Sequence, residues 1–146
     1  GNQKGSILQE IDYLKTYIAL RKLRMSERLR LRVEFPPELN ELNIYPLLFL
    51  PLVENAFKYV GGDYQLDIIM KWENNRISLF IRNSIPELSA EDEALRKSVD
   101  ERQRKGIGLV NLRRRLSLVY PSKHRLETRK EETEFVAELM IEIEEI

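Results

Sequence analysis

Leu66-Asp67-Ile68-Ile69-Met70-Lys71-Trp72-Glu73-Asn74-Asn75-Arg76-Ile77-Ser78-Leu79-Phe80-Ile81-Arg82-Asn83 is the stretch that decides the fold. Leu66, Ile68, Met70 and Trp72 recur at every second position, and so do Ile77, Leu79 and Ile81. A period of two is the side-chain repeat of a strand with one face turned to a core. Asn74-Asn75 between the two runs suits a tight turn, because asparagine tolerates left-handed backbone. The stretch therefore predicts a β-hairpin. Asn83 comes next in the alternation after Ile81, so it is predicted to close the second strand on the buried face.

Downstream, residues 84–105 break every pattern, with Pro86 and eleven charges between Glu87 and Lys105. A polar stretch this long inside a compact domain predicts a functional lid or a disordered loop. Gly106 to about Val119 reads as a helix. His124–Arg129 and Glu134–Ile143 read as a closing hairpin, with Phe135, Ala137, Leu139, Ile141 and Ile143 on one face. Upstream, Pro46 suits the first turn of a helix running to Val60, closed by Gly61-Gly62 as a left-handed cap. Pro51 lies inside that span, so the helix starts later or kinks there. Leu29, Leu31, Val33 and Phe35 alternate with charged residues as a half-buried strand, stopped by Pro36-Pro37; a loop follows to about Ile44. Residues 6–27 read as a helix opened by a Ser6/Gln9 capping box, with Ile7, Ile11, Leu14, Ile18 and Met25 on a heptad-like seam widened by Tyr17 and Leu20. The seam either packs on this domain or continues an upstream coiled coil. The element order predicts an α/β (α+β) two-layer sandwich: a mixed, largely antiparallel sheet with helices on one face.

Composition bounds the function. At 146 residues the chain fits one domain. With 24 basic and 24 acidic residues, net charge offers no reason to expect nucleic acid as a partner. There is no cysteine, which removes disulfides and thiolate metal sites, and the single histidine, His124, removes multi-histidine sites. The longest apolar stretch, Leu47 to Val53, is far too short to span a membrane, and no signal-peptide pattern is visible.

Three segments could carry chemistry. Asn83, buried at a strand end, needs partners for its amide; it bonds either backbone or a ligand at the mouth of the core. Gly106 and Gly108 open a helix, where backbone N–H groups and the helix dipole favour a phosphate; a plain loop-to-helix turn uses the same residues. Asn55 and Lys58 share a face at i, i+3. An amide oxygen can ligate Mg²⁺ and a lysine can meet a phosphate, though in isolation such a pair is more often a solvated face.

The ordered combination is more specific than its parts. Glu54-Asn55-Ala56-Phe57-Lys58-Tyr59 on a helix, two strands, a polar lid, and Lys105-Gly106-Ile107-Gly108-Leu109, with Asn111, Arg115 and Leu116 beyond, form one set. The set resembles the ATP-binding domain shared by histidine kinases, DNA gyrase, the MutL mismatch-repair protein and heat-shock chaperone ATPases. Within that superfamily it is most similar to LytS-type sensor histidine kinases. Leu8 to Arg24, with Tyr17-Ile18, Arg21 and Arg24, looks like that family's connector after the phosphoacceptor region. The resemblance implies a Bergerat-type ATP-binding fold over 28–146 with a lid at 84–105, and residues 1–27 as connector. It implies that Asn55 ligates the Mg²⁺ bridging the ATP phosphates and that Lys58 touches a phosphate. Lys105, Gly106, Ile107, Gly108 and Leu109 would form the phosphate-cradling box, and Asn83 would stand where the family's aspartate reads the adenine amino group. Ile81, Ile107 and Leu109 could line the base pocket. The implied partners are an upstream phosphoacceptor region, through which the whole protein homodimerises, and a response regulator. The implied location is the cytoplasmic side of a bacterial inner membrane, reached through upstream segments.

The chain departs from the family pattern in three places. Asn83-Ser84-Ile85-Pro86-Glu87 replaces Asp-x-Gly-x-Gly, so the adenine acceptor is neutral and its bond weaker. Tyr59 stands where LytS-like kinases commonly carry histidine. Pro51 occupies the position of the water-activating glutamate of gyrase-type ATPases, so strong ATP hydrolysis is not expected. His124 lies at the start of a late strand and reads as a surface residue, so the phosphoacceptor is expected elsewhere. The expected function is ATP-dependent phosphotransfer to a histidine. The alternatives are a degenerate, non-catalytic nucleotide-binding or docking module, and an anti-sigma-type serine kinase, against which the connector argues.

Overall fold

The computed structural model describes residues 4–39, 41–87 and 107–144. Its elements, in chain order, are β1 (Gly5–Ser6), α1 (Ile7–Arg24), β2 (Arg30–Glu34), β3 (Asn43–Ile44), α2 (Leu50–Tyr59), β4 (Gln65–Glu73), β5 (Arg76–Ser84), α3 (Ile107–Val119), β6 (His124–Lys130) and β7 (Glu134–Glu142). Five strands form one sheet in the order β2-β4-β5-β7-β6. The β2–β4 pair is parallel and the other pairs are antiparallel. β1 and β3 form a separate antiparallel pair, β3 lying in the stretch expected to be loop and β1 at the entry of α1.

Asn74 and Asn75 hold φ values of 52° and 60°, the left-handed pair a type I′ turn requires. That turn sets Glu73 opposite Arg76, and every later pair of β4 and β5 follows. Leu66, Ile68 and Met70 then face Asn83, Ile81 and Leu79, and β7 adds Phe135, Ala137, Leu139 and Ile141 in the same rows. Onto this face pack Ile7, Ile11, Leu14 and Ile18 of α1, Leu52, Val53, Ala56 and Phe57 of α2, and Leu112 and Leu116 of α3, in one continuous core. The α1 seam thus lies in the domain's own core, while Leu20 of the same helix is 57% exposed. On the far face of the sheet, Asp67 is buried and bonded by the Arg82 guanidinium at 2.6 and 3.0 Å, directly across the β4–β5 ladder.

Helix boundaries differ from expectation in three places, the first being α1, which stops at Arg24 rather than 27 with Met25 as its extended cap. α2 begins at Leu50 rather than Pro46, with Pro51 in its first turn, where a missing N–H is harmless. Pro46 instead leads into Leu47, which takes a left-handed φ of 60°. At the far end α2 stops at Val60 in extended conformation, and of the two glycines only Gly62 is left-handed, at φ 62°. There a Cβ would meet the Ile85 carbonyl oxygen at 2.8 Å. Gly62→Ala is therefore expected to destabilise the chain by about 1–3 kcal/mol through strain and overlap. Urea denaturation measures it, and a loss below about 0.5 kcal/mol would contradict the close approach.

Candidate functional site

α2 touches α1, α3 and the strands β4 and β5. Its apolar stripe, Leu52, Val53, Ala56 and Phe57, goes into the core. Phe57 also meets α1: the Tyr17 ring stands edge-on at 6.2 Å and the Arg21 guanidinium lies 5.6 Å from its centroid. Glu54 faces the same side. Burial, and next the Glu54 charge, push the Tyr17 hydroxyl above its usual range against the opposing pull of Arg21. Asn55 sits roughly 200° around the helix from Phe57, so it is turned away from α1. It is half-buried, whereas Lys58 is exposed with its ammonium 5.4 Å from the Tyr59 ring centroid.

The end of α2 is lashed to the end of β5. The Gly61 N–H donates to the Ser84 carbonyl at 2.9 Å. The Ser84 hydroxyl donates to the Gly61 carbonyl at 2.7 Å and accepts from the Gln65 N–H at 2.8 Å. This knot places Asn83 beside the last turn of α2. Asn83 is 1% exposed. Its Nδ2 reaches the Ser84 carbonyl only at 3.5 Å, and its Oδ1 has no hydrogen-bond partner among the described residues. A buried acceptor left idle costs roughly 1–3 kcal/mol, so a structural asparagine is a poor account of this position. An amine donor of a bound molecule fits it. Ile81, two positions earlier on the same face, is buried in the core.

Ile107 and Gly108 lie in the first turn of α3, and Leu109 is half-buried against the core. Lys105 and Gly106, and the lid expected at 84–105 beyond Glu87, lie outside the described residues. No group of three or more His, Asp or Glu able to hold a metal by itself occurs among the described residues. Asn55 as a single oxygen ligand fits a Mg²⁺ whose other ligands are phosphates and water. His124 is half-buried, not fully on the surface as expected, and its Nδ1 lies 2.8 Å from the Tyr120 carbonyl oxygen.

The sequence reading missed the Asp67–Arg82 pair and the Ser84 knot. The pair had a signal, because an Asn-Asn turn at 74–75 already sets residue 67 opposite 82. The knot had none, since a serine beside an asparagine predicts no partner 23 residues away.

No protein-family model matches the chain. Over 123 residues it is 28% identical to the sensor protein kinase HptS of Staphylococcus aureus, a match covering 81% of this chain and 24% of that protein. The chain thus spans about a quarter of the length of the curated relatives it matches. Its structure is similar to the nucleotide-free catalytic domain of the histidine kinase ThkA, with TM-score 0.64, 16% identity, and coverage of 96% of this chain and 94% of that one. It is also similar to the mycobacterial sensor histidine kinase MprB, with TM-score 0.60 and 13% identity over all of both chains. ThkA in complex with the response regulator TrrA aligns with TM-score 0.59 and 15% identity, over 94% of this chain and 40% of that one. The mixed sheet carrying helices on one face is thus the fold of these histidine kinase catalytic domains.

Proposed function

We propose that the chain is the ATP-binding catalytic part of a LytS-type sensor histidine kinase, transferring the γ-phosphate of ATP to a histidine in an upstream segment. The observation that carries this reading is the idle, buried Oδ1 of Asn83 at the end of β5. It supplies the hydrogen-bond acceptor that an adenine amino group needs. The similarity to HptS and to the kinase catalytic domains supports the same reading.

In this site Asn55, on the flank of α2 turned away from α1, offers its amide oxygen to Mg²⁺, and Lys58 offers a mobile cation to the phosphate chain. Bound Mg²⁺ would neutralise phosphate charge during transfer. The amides opening α3, from Ile107 through Leu109, point along the helix axis toward an anion, as helix N-termini do. The protein's part is positioning and charge neutralisation. His124, held by the Tyr120 carbonyl at the start of an edge strand, is not the acceptor. The acceptor histidine, the homodimer contact and any membrane segments belong to upstream sequence. A response regulator receives the phosphate, and the ThkA–TrrA complex supports that partner class.

Calorimetric titration with Mg²⁺·ATP tests the reading. Saturable binding is expected, weaker than a carboxylate-based adenine site would give; no heat at millimolar nucleotide leaves only a docking module. Asn55→Ala is expected to remove the Mg²⁺-dependent part of the affinity, about tenfold or more, with thermal stability unchanged. An unaltered Mg²⁺ response would refute the metal role. Asn83→Asp should tighten ATP binding up to about tenfold, because a charge-assisted bond replaces a neutral one, while lowering the stability of the nucleotide-free chain. Weaker binding in that variant would refute the adenine assignment. Asn83→Leu should abolish binding yet keep or raise nucleotide-free stability, by up to about 1 kcal/mol, since only the 3.5 Å contact to the Ser84 carbonyl is lost; thermal denaturation decides.

A further inference from the structure

The start of α2 is not set by its own residues. Phe49 makes no side-chain cap, Pro51 has no N–H, and the chain reaches the helix through Leu47 in left-handed backbone that leucine does not favour. Two side chains, one from α1 and one just beyond α3, hold this leading loop. The Tyr120 hydroxyl, just beyond α3, accepts the Tyr45 N–H at 3.2 Å, and the Tyr45 and Tyr120 rings meet edge to face at 5.4 Å. The Glu10 carboxylate, in the first turn of α1, accepts the Leu47 N–H at 3.0 Å through Oε1.

Glu10 is 8% exposed, and its second oxygen has no hydrogen-bond partner among the described residues. Burial raises its pKa, with the Leu47 bond and then Arg115 of α3 pulling the other way. A half-satisfied buried carboxylate is an expensive way to fill space, which an apolar side chain would do better. What it does is fix Leu47. The same helix also seats Tyr17 and Arg21 on Phe57, so α1 grips α2 at its approach and again in its last turn.

We propose that Glu10 is a positioning residue for the nucleotide site: by holding Leu47 it sets the axial seat of α2, and with it the place of Asn55, and so couples α1 to metal binding. This rests on the nucleotide reading above. A displacement of α1 is transmitted to Asn55 through this hydrogen bond at the approach to α2, together with the Tyr17 and Arg21 contacts on Phe57.

Glu10→Ala and Glu10→Gln in the full chain test it, read by residue-resolved amide exchange without nucleotide and by ATP titration with and without Mg²⁺. In Glu10→Ala the Leu47 amide should exchange about tenfold faster or more, and the amide resonances from Leu50 to Tyr59 should shift. The Mg²⁺-dependent gain in ATP affinity should fall about tenfold, while affinity without Mg²⁺ and protection in β4 and β5 stay as in the parent. Glu10→Gln keeps one acceptor oxygen and should stay within about twofold of the parent. Should Glu10→Ala not fold, Glu10→Ala with Leu47→Gly, which relieves the left-handed strain, is expected to fold with the same loss of Mg²⁺ response. The proposal is overturned if Leu47 and α2 are unchanged in the alanine variant, if protection falls equally across the sheet, or if Glu10→Gln behaves like alanine. If the parent shows no Mg²⁺-dependent affinity, the nucleotide reading fails, and the exchange data still decide whether Glu10 seats α2.

Discussion

The register of the β4–β5 hairpin is the constraint on which the rest depends. A two-residue turn leaves no freedom in pairing once Glu73 stands opposite Arg76. Because the side-chain period of a strand is two, a slip of one residue would exchange the faces completely. Were β5 to slip, Asn83 would leave the core and Arg82 would enter it, parted from Asp67. The register therefore does two things at once: it aims an amide into the helix-covered layer and keeps the buried Asp67 beside the half-exposed Arg82 on the far face. β7 adopts the same rows, so the alignment made at one turn extends across the centre of the sheet.

The helices are attached to this sheet by specific polar ties as well as by apolar packing. The Ser84–Gly61–Gln65 knot joins the end of α2 to the end of β5, and Gly62 permits the contact because a side chain there would strike Ile85. The other end of α2 is tied by Glu10 and Tyr120 to its two neighbouring helices. The helix that presents Asn55 is consequently pinned at both ends by groups outside itself. Such an arrangement suits a site whose chemistry is positioning, where small displacements of a ligand carry large effects.

α1 belongs to this domain as firmly as the sheet does, because its seam fills the core. A helix that both completes the core and grips α2 can stabilise the layer and transmit movement to it.

How much of this was legible in the sequence follows the range of each interaction. Strands β4, β5 and β7, the burial of Asn83 and the α1 stripe were readable, because periodicity reports which face meets the core without naming the partner. The segments around Asn55 and Gly108 were recognisable by order and spacing, which are properties of the chain alone. The start of α2 was not readable, since Pro46 and Pro51 both suit a first helical turn. Tertiary structure chose between them by giving the Leu47 N–H to Glu10, 37 residues away. The idle oxygen of Asn83 likewise could be known only from the fold: alternation says that a side chain is buried, but whether its polar atoms find partners depends on every element packed around it.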